Sequence, residues 1–416
     1  MMPVHPLIHR LVILTLLSMC ASPGLAQTVE SNSLKTFIAK SDLIFDSRLR
    51  FELVDQDGFD EDAQALTLRS RFGFETASFH GFKALVEGDF TRDLGVNDFN
   101  STVNGKTGFP VVVDPDSERL NRLQLGYHRK WDGASLAATV GRQRIKLDDD
   151  RFIGNVGFRQ NEQTFDAARL QISPFDGLTV DYSYIWQVNR IFGSNSANKT
   201  ADADSHLINA RYETPWAVIT SYAYLLDLED QLASSASKTF GLRMAGTRNL
   251  FDDWQIAYGA EFANQTDFGG NPENFDLNYI MGKAGFTRGG LSFDAQIERL
   301  EGNGRRGFTT PLATLHAFQG FADVFLVTPA AGLRDIQTKI QYRWRNVSKL
   351  GDVRLSAWFH DFSATQTQDD LGEEIDFGLF ITPRKGITFS IKYADFFGAD
   401  DKPSLRRFWT GVDVKF

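Results

Sequence analysis

Ten arginines hold most of the chemistry in this sequence: Arg69, Arg71, Arg122, Arg142, Arg144, Arg169, Arg343, Arg345, Arg354 and Arg407. Several come as i, i+2 pairs, the spacing that places both on one face of an extended strand. A guanidinium offers a planar fork of donors that pairs bidentately with carboxylates. A row of such groups facing water selects anionic, carboxylate-bearing solutes. Arg48, Arg50 and Lys392 fall on the same face of their own segments, and Asp46, Glu52, Glu75, Glu87, Asp89, Glu261, Asp294, Glu298, Glu374 and Asp376 interleave with the cations. Part of this array is expected to brace itself through ion pairs and the rest to line a path. The pattern offers no catalytic set and no metal site.

A second concentration lies in Gly307–Leu333, which reads GFTTPLATLHAFQGFADVFLVTPAAGL. Phe308, Leu312, Leu315, Phe318, Phe321 and Phe325 recur at mixed three- and four-residue spacing, with Pro311 at a helix start. A connection this long and apolar does not stand free in water. It reads as a loop with a helical turn, packed into a mouth as a constriction that involves Pro311, His316, Phe318, Phe321 and Asp323. A lone histidine beside one acid falls short of a metal or catalytic cluster. A third stretch, Arg142–Arg169, joins a basic strand end to the acidic triplet Asp148, Asp149 and Asp150. The triplet lacks the spacing of a calcium loop and reads as solvated; Arg151 and Arg159 join the candidate path.

The elements that would position these residues are strands. In Ser41–Val54, Leu43, Phe45, Leu49, Phe51 and Leu53 alternate with Asp42, Asp46, Arg48, Arg50 and Glu52; Ala65–Ala77 repeats the pattern. Strict period two marks a strand with two unlike faces, not a helix. Charges at this density on one face cannot meet lipid, where Arg or Lys costs about 2–4 kcal/mol near the midplane. Short turns such as Ser78–Gly81, Lys130–Gly133 and Pro383–Gly386 alternate with longer connections such as Gly95–Glu118 and Gly302–Gly332. Nine long connections and eight short turns imply eighteen strands. The expected fold is therefore all-β: a transmembrane antiparallel β-barrel with an inward-folded loop partly plugging its lumen. Trp131, Trp216, Trp254, Trp344 and Trp409 fall near strand ends, as interface girdles do.

Both chain ends agree. The chain closes on Gly411–Phe416, where Val412, Val414 and Phe416 alternate with Asp413 and Lys415; this resembles the signature that barrel assembly machinery recognises. Residues 1–26 read as a secretory signal, with Arg10, the apolar run Leu11–Met19 and small residues ending at Ala26. Residues 27–416 then form one domain. Cys20 lies inside the signal, which leaves no thiol chemistry in the mature chain. A net charge of −9 argues against nucleic acid as a partner. No later stretch approaches the length of a spanning helix. An even strand number puts both termini on the periplasmic side of a bacterial outer membrane, in contact with outer-membrane lipid and lipopolysaccharide.

Gly141–Arg144, Arg151-Phe152, Asn161–Leu170 and Thr310–Leu333 resemble stretches of the alginate export family of outer-membrane proteins. The resemblance implies an 18-stranded barrel. For the characterised exporters it implies an arginine-lined path for the anionic polysaccharide alginate, with periplasmic export partners; Arg142 and Arg144 match that lining. The mixture of acids among the arginines departs from it. The leading expectation is a passive, anion-selective outer-membrane channel without a cofactor. The alternatives are an uptake porin for small organic acids or oligosaccharides, an outer-membrane enzyme, and a non-conducting structural barrel. His80, His128, His206, His316 and His360 sit in no recognisable Ser/His/Asp pattern, so the chain reads as a non-enzyme.

Overall fold

A computed structural model describes residues 39–251, 253–399 and 402–416. The signal expected over residues 1–26 lies outside the described residues. The strands run β1 (Asp42–Gln56), β2 (Ala63–Glu75), β3 (Phe82–Asp98), β4 (Ser117–Trp131), β5 (Ala134–Gln143) and β6 (Thr164–Phe175). They continue with β7 (Leu178–Asn189), β8 (Thr200–Glu213), β9 (Val218–Leu226), β10 (Ser237–Asn249), β11 (Trp254–Asp267) and β12 (Asp276–Arg288). The last are β13 (Leu291–Leu300), β14 (Leu333–Val347), β15 (Gly351–Ser363), β16 (Asp370–Arg384), β17 (Ile387–Gly398) and β18 (Leu405–Lys415). Each pairs antiparallel with its neighbours in sequence, and β1 pairs with β18 as well as β2, so the 18-stranded sheet closes on itself. Closure leaves no unpaired edge.

Side-chain alternation separates two solvents. Leu43, Phe72, Phe90, Leu123, Phe240, Phe262, Ile340 and Phe377 are exposed on the outer wall. Their neighbours in sequence turn inward and are polar: Arg69, Arg71, Glu87, Asp89, Glu298, Asp335, Glu374 and Asp376 are buried. Polar residues are buried here because two connections fill the lumen. The 144–163 connection and the 301–332 connection meet at a parallel bridge between Ile153 and Leu312. Gly154 N–H donates to Leu312 O at 2.8 Å and Thr314 N–H to Asp150 O at 3.0 Å. The Gln163 amide adds a bond to Leu312 O at 3.1 Å. Phe152 anchors this seam among Tyr279 (5.3 Å), Tyr222 (5.4 Å) and Phe308 (6.0 Å).

Three expectations change. No helix starts at Pro311; the helical turn is confined to Leu315–Ala317. Left-handed backbone at Gln319, Gly320 and Asp323 breaks the run, and the Leu312 carbonyl accepts from the other loop instead. At Gly320 this matters most, because a Cβ there would collide with the Glu374 carboxylate. The acidic triplet, with Asp148 exposed, is not left to solvent alone. Asp148 accepts from Asn209 (2.9 Å), Asp149 pairs with Arg243 (2.6 Å) and Asp150 with Lys146 (2.8 Å). Trp409 belongs to no girdle. It shares the inward phase of Arg407, two residues away, and is only 2 % exposed.

Candidate functional site

Most of the arginines singled out by spacing are neutralised by a carboxylate on the wall. Arg69 pairs with Asp46, Arg71 with Asp89 (3.1 Å), Arg122 with Glu87 (2.6 Å), Arg142 with Asp166 (2.7 Å) and Arg169 with Asp181 (2.5 Å). Arg144 reaches both Glu162 (2.5 Å) and Glu87 (3.3 Å). Arg407 pairs with Glu52 at 3.2 Å. Arg343 pairs with Asp352 at the short-turn end, far from the inward loops along β14. Arg345 is exposed at the same end, and Arg354 lies over the Phe380 ring at 4.2 Å. Neither forms an ion pair among the described residues. Glu162, on the 144–163 loop, titrates below the usual carboxylate range: burial opposes its ionisation, and Arg71 and Arg144 outweigh burial.

The inward loops are tied to the wall at several points, and the knot at Arg159 joins the most partners. Arg159 reaches Glu52 on β1 (3.2 Å), Asp323 on the 301–332 loop (2.9 Å) and Asp114 on the 99–116 connection (3.9 Å). Asp114 also takes Arg50 and the Gln160 N–H (2.7 Å). Burial alone would push the Arg159 pKa down and the Asp114 pKa up. The opposite charges win for both, so Arg159 is raised and Asp114 lowered. Further along the same loop, Phe321 and Ala322 donate their N–H groups to Asp376 (3.0 Å) and Glu374 (2.7 Å). Arg151 pairs with Glu298 at 2.6 Å and lies under the Phe318 ring at 4.8 Å.

Beside this knot, on the short-turn side, lies a cavity of about 560 Å³. Arg48, Arg50, Lys392 and Lys415 line it, with Asp413 as the acid in its lining; Phe158, Phe380, Trp409, Thr388 and Ser390 complete the wall. Arg48 is held by Asp413 at 2.7 Å. Lys392 is different. Its ammonium is buried among the rings of Phe321 (3.4 Å), Phe158 (4.6 Å) and Trp409 (5.3 Å), and it forms no ion pair among the described residues. Its hydrogen-bond partner is His316 Nε2.

His316 stacks on Phe158 at 3.4 Å, and its Nδ1 lies 2.9 Å from Asp323. Facing a carboxylate, Nδ1 carries the proton and donates; facing an ammonium, Nε2 accepts. A second proton would break the Lys392 bond and set two cations together. Burial first, then Lys392, pulls the His316 pKa down to about 3 against the opposing pull of Asp323. The packed loop therefore binds that proton only in strong acid, whereas a released loop binds it near pH 6.5. The His316 contribution to packing is at full strength above about pH 6.5 and falls by about 1.4 kcal/mol per unit from there down to about pH 3. Asp323 is held below its usual range, where burial is outweighed by His316 and Arg159, and so adds its own loss only at lower pH. Single-channel conductance is expected to rise between about pH 7 and pH 5, and His316→Gln to flatten that rise. A wild-type conductance that stays constant over the interval would refute this coupling.

Spacing identified the arginine faces, His316 and Asp323, but not that these two meet. It missed Phe158 and Trp409, which cage Lys392. For Trp409 the signal was present, since period two from Arg407 already turns it inward. For Phe158, inside a loop, no local signal exists.

The sequence profile described as alginate export matches residues 41–298, more than half of the chain. The match stops short of the 301–332 loop. Among curated proteins none matches. Among solved structures, Pseudomonas aeruginosa OpdL is 16 % identical with a TM-score of 0.67, covering 91 % of this chain and 99 % of its own. P. aeruginosa OpdK, solved with vanillate, is 13 % identical at TM-score 0.69, with 91 % and 99 % covered. Acinetobacter baumannii OccAB4 is 13 % identical at 0.68, with 91 % and 98 % covered. At such identities the likeness is one of fold.

Proposed function

The chain belongs to the alginate export family, its fold is that of an outer-membrane channel, and we propose that it is a passive channel selective for small carboxylates. The observation that carries the selectivity is Lys392: a cation that forms no ion pair among the described residues, caged by aromatic rings at the edge of a basic cavity. Asp323 and Asp376 act on this ammonium from beyond ion-pair distance, so a solute carboxylate can make the direct contact. Arg48 and Arg50 line the same wall, though Asp413 and Asp114 already hold them, and Thr388 and Ser390 can meet hydroxyls. Several modest contacts in series suit passage, because a solute must also leave.

A cavity of about 560 Å³ matches a small acid. A polysaccharide such as alginate would need both inward loops to vacate the lumen, so the small-carboxylate reading is preferred to export with periplasmic partners. The long connections face outward and both termini the periplasm, as even-numbered barrels place them. The cavity then opens toward the periplasm. His316 and His360 are each held by a buried aspartate, at 2.9 Å and 3.0 Å. The test is the reversal potential of the full-length protein in planar bilayers under a KCl gradient, followed by added benzoate or glucuronate. A potential on the chloride side and block by the carboxylates are expected. A potential on the potassium side refutes the anion reading.

A further inference from the structure

The outer wall carries a pair of charges that the channel does not use. Arg299 on β13 and Arg334 on β14 are direct cross-strand partners. Their sequence neighbours Glu298 and Asp335 point into the lumen and are buried, so both arginines point outward. Like charges placed directly opposite repel one another. Neither is well compensated. The nearest carboxylate to Arg299 is Glu301 at 3.9 Å, and Glu301 already accepts two bonds from Asn278 at 2.9 Å. Arg334 forms no ion pair among the described residues, and its Nε is buried without a partner.

Their level on the wall is defined by what lies on either side. Toward the short-turn end come Ile297 and Ile336, opposite each other and 46 % and 41 % exposed, with Phe293 and Ile340 beyond. Toward the long-connection end come Asn278 and Glu301. The two guanidiniums thus sit at the border of the apolar belt, where lipid headgroups begin. On the neighbouring strand β15, Asp361 lies directly opposite Ile336 and diagonal to Arg334, and it faces Glu373 on β16; these acids border the site on that side and confine an anion to the β13–β14 pair.

We infer that Arg299 and Arg334 form a binding site for a phosphate group of lipid A in the outer leaflet. This rests on the proposed orientation, with long connections outward. A phosphate takes forked donors from two guanidiniums at once and removes their repulsion. The acyl chains of the same molecule cover Ile297, Ile336 and Ile340. Free phosphate would satisfy the charges and leave the isoleucines bare.

The test is native mass spectrometry of the full-length protein in detergent, with added deep-rough lipopolysaccharide, dephosphorylated lipid A or inorganic phosphate. The wild type is expected to retain lipopolysaccharide and the Arg299→Gln/Arg334→Gln variant to retain about tenfold less. The double lysine variant is expected to keep much of the binding, which separates charge from a folding defect. Equal retention by the glutamine variant, or equal retention of the dephosphorylated lipid, overturns the site. Displacement by millimolar inorganic phosphate overturns the lipid assignment. Conductance of the glutamine variant is expected to match wild type, so failure here is distinct from failure of the channel reading.

Discussion

Arg159→Ala is expected to unplug the barrel. In the wild type this one guanidinium joins the wall at Glu52, the 301–332 loop at Asp323 and the 99–116 connection at Asp114. All three carboxylates are buried, so their removal from water is repaid only while a cation stays among them. Arg50 and Arg407 still serve Asp114 and Glu52, but Asp323 is left with His316 and no ion-paired guanidinium, at a cost of about 3–5 kcal/mol. The wall does not bear this cost, because its strands are held by a closed hydrogen-bond ladder independent of the loops. The loops bear it, and local opening draws on such weakly anchored segments first. Single-channel recordings of Arg159→Ala should show a conductance several times that of wild type, with frequent switching. Arg159→Lys should restore little, because a point charge cannot fork to three partners. A conductance unchanged from wild type in Arg159→Ala would mean that the loops are held elsewhere, or that the path avoids them.

Lys392→Glu is expected to invert selectivity. Lys392 is the cavity's cation without an ion pair among the described residues, and its reversal sets a negative charge near Asp323 and Asp376 within a low-dielectric ring cage. The reversal potential should move from the chloride side to the potassium side. Block by benzoate should weaken by about tenfold or more, a change of about 1.4 kcal/mol. Lys392→Gln serves as the structural control, since it keeps volume and can still donate to His316. Its carboxylate block should fall while its unblocked conductance stays near wild type. A folded Lys392→Glu channel that remains anion-selective would show that solutes do not pass the cage.

How much of this is legible in sequence follows from the range of each interaction. Strand positions in β1 and β2 were readable because alternation is local: Leu43 and Phe45 on one face and Asp46 and Arg48 on the other need no distant partner to declare themselves. Barrel closure was readable for a related reason, since unpaired backbone has no place in lipid. The Pro311 helix failed because apolar spacing of three and four also arises when side chains pack in several directions. Phe308 packs against Phe152 and Tyr279, whereas Phe325 packs against Phe362 and Phe396.

The arginines mark the boundary between the two kinds of information. Sequence alone determined which face each guanidinium occupies, because lipid tolerates no charge on the other face. It also determined the eighteen-strand wall. Only the tertiary structure decided which cations remain available to a solute. Arg71 and Arg144 are cancelled by Glu162, and Arg50 by Asp114, acids carried on loops that fold back into the lumen. Lys392 escapes because rings rather than carboxylates reach it. Local alternation is set by backbone geometry within a few residues; neutralisation is set by the path of loops whose contacts span, for Arg159 and Asp323, 164 residues of chain.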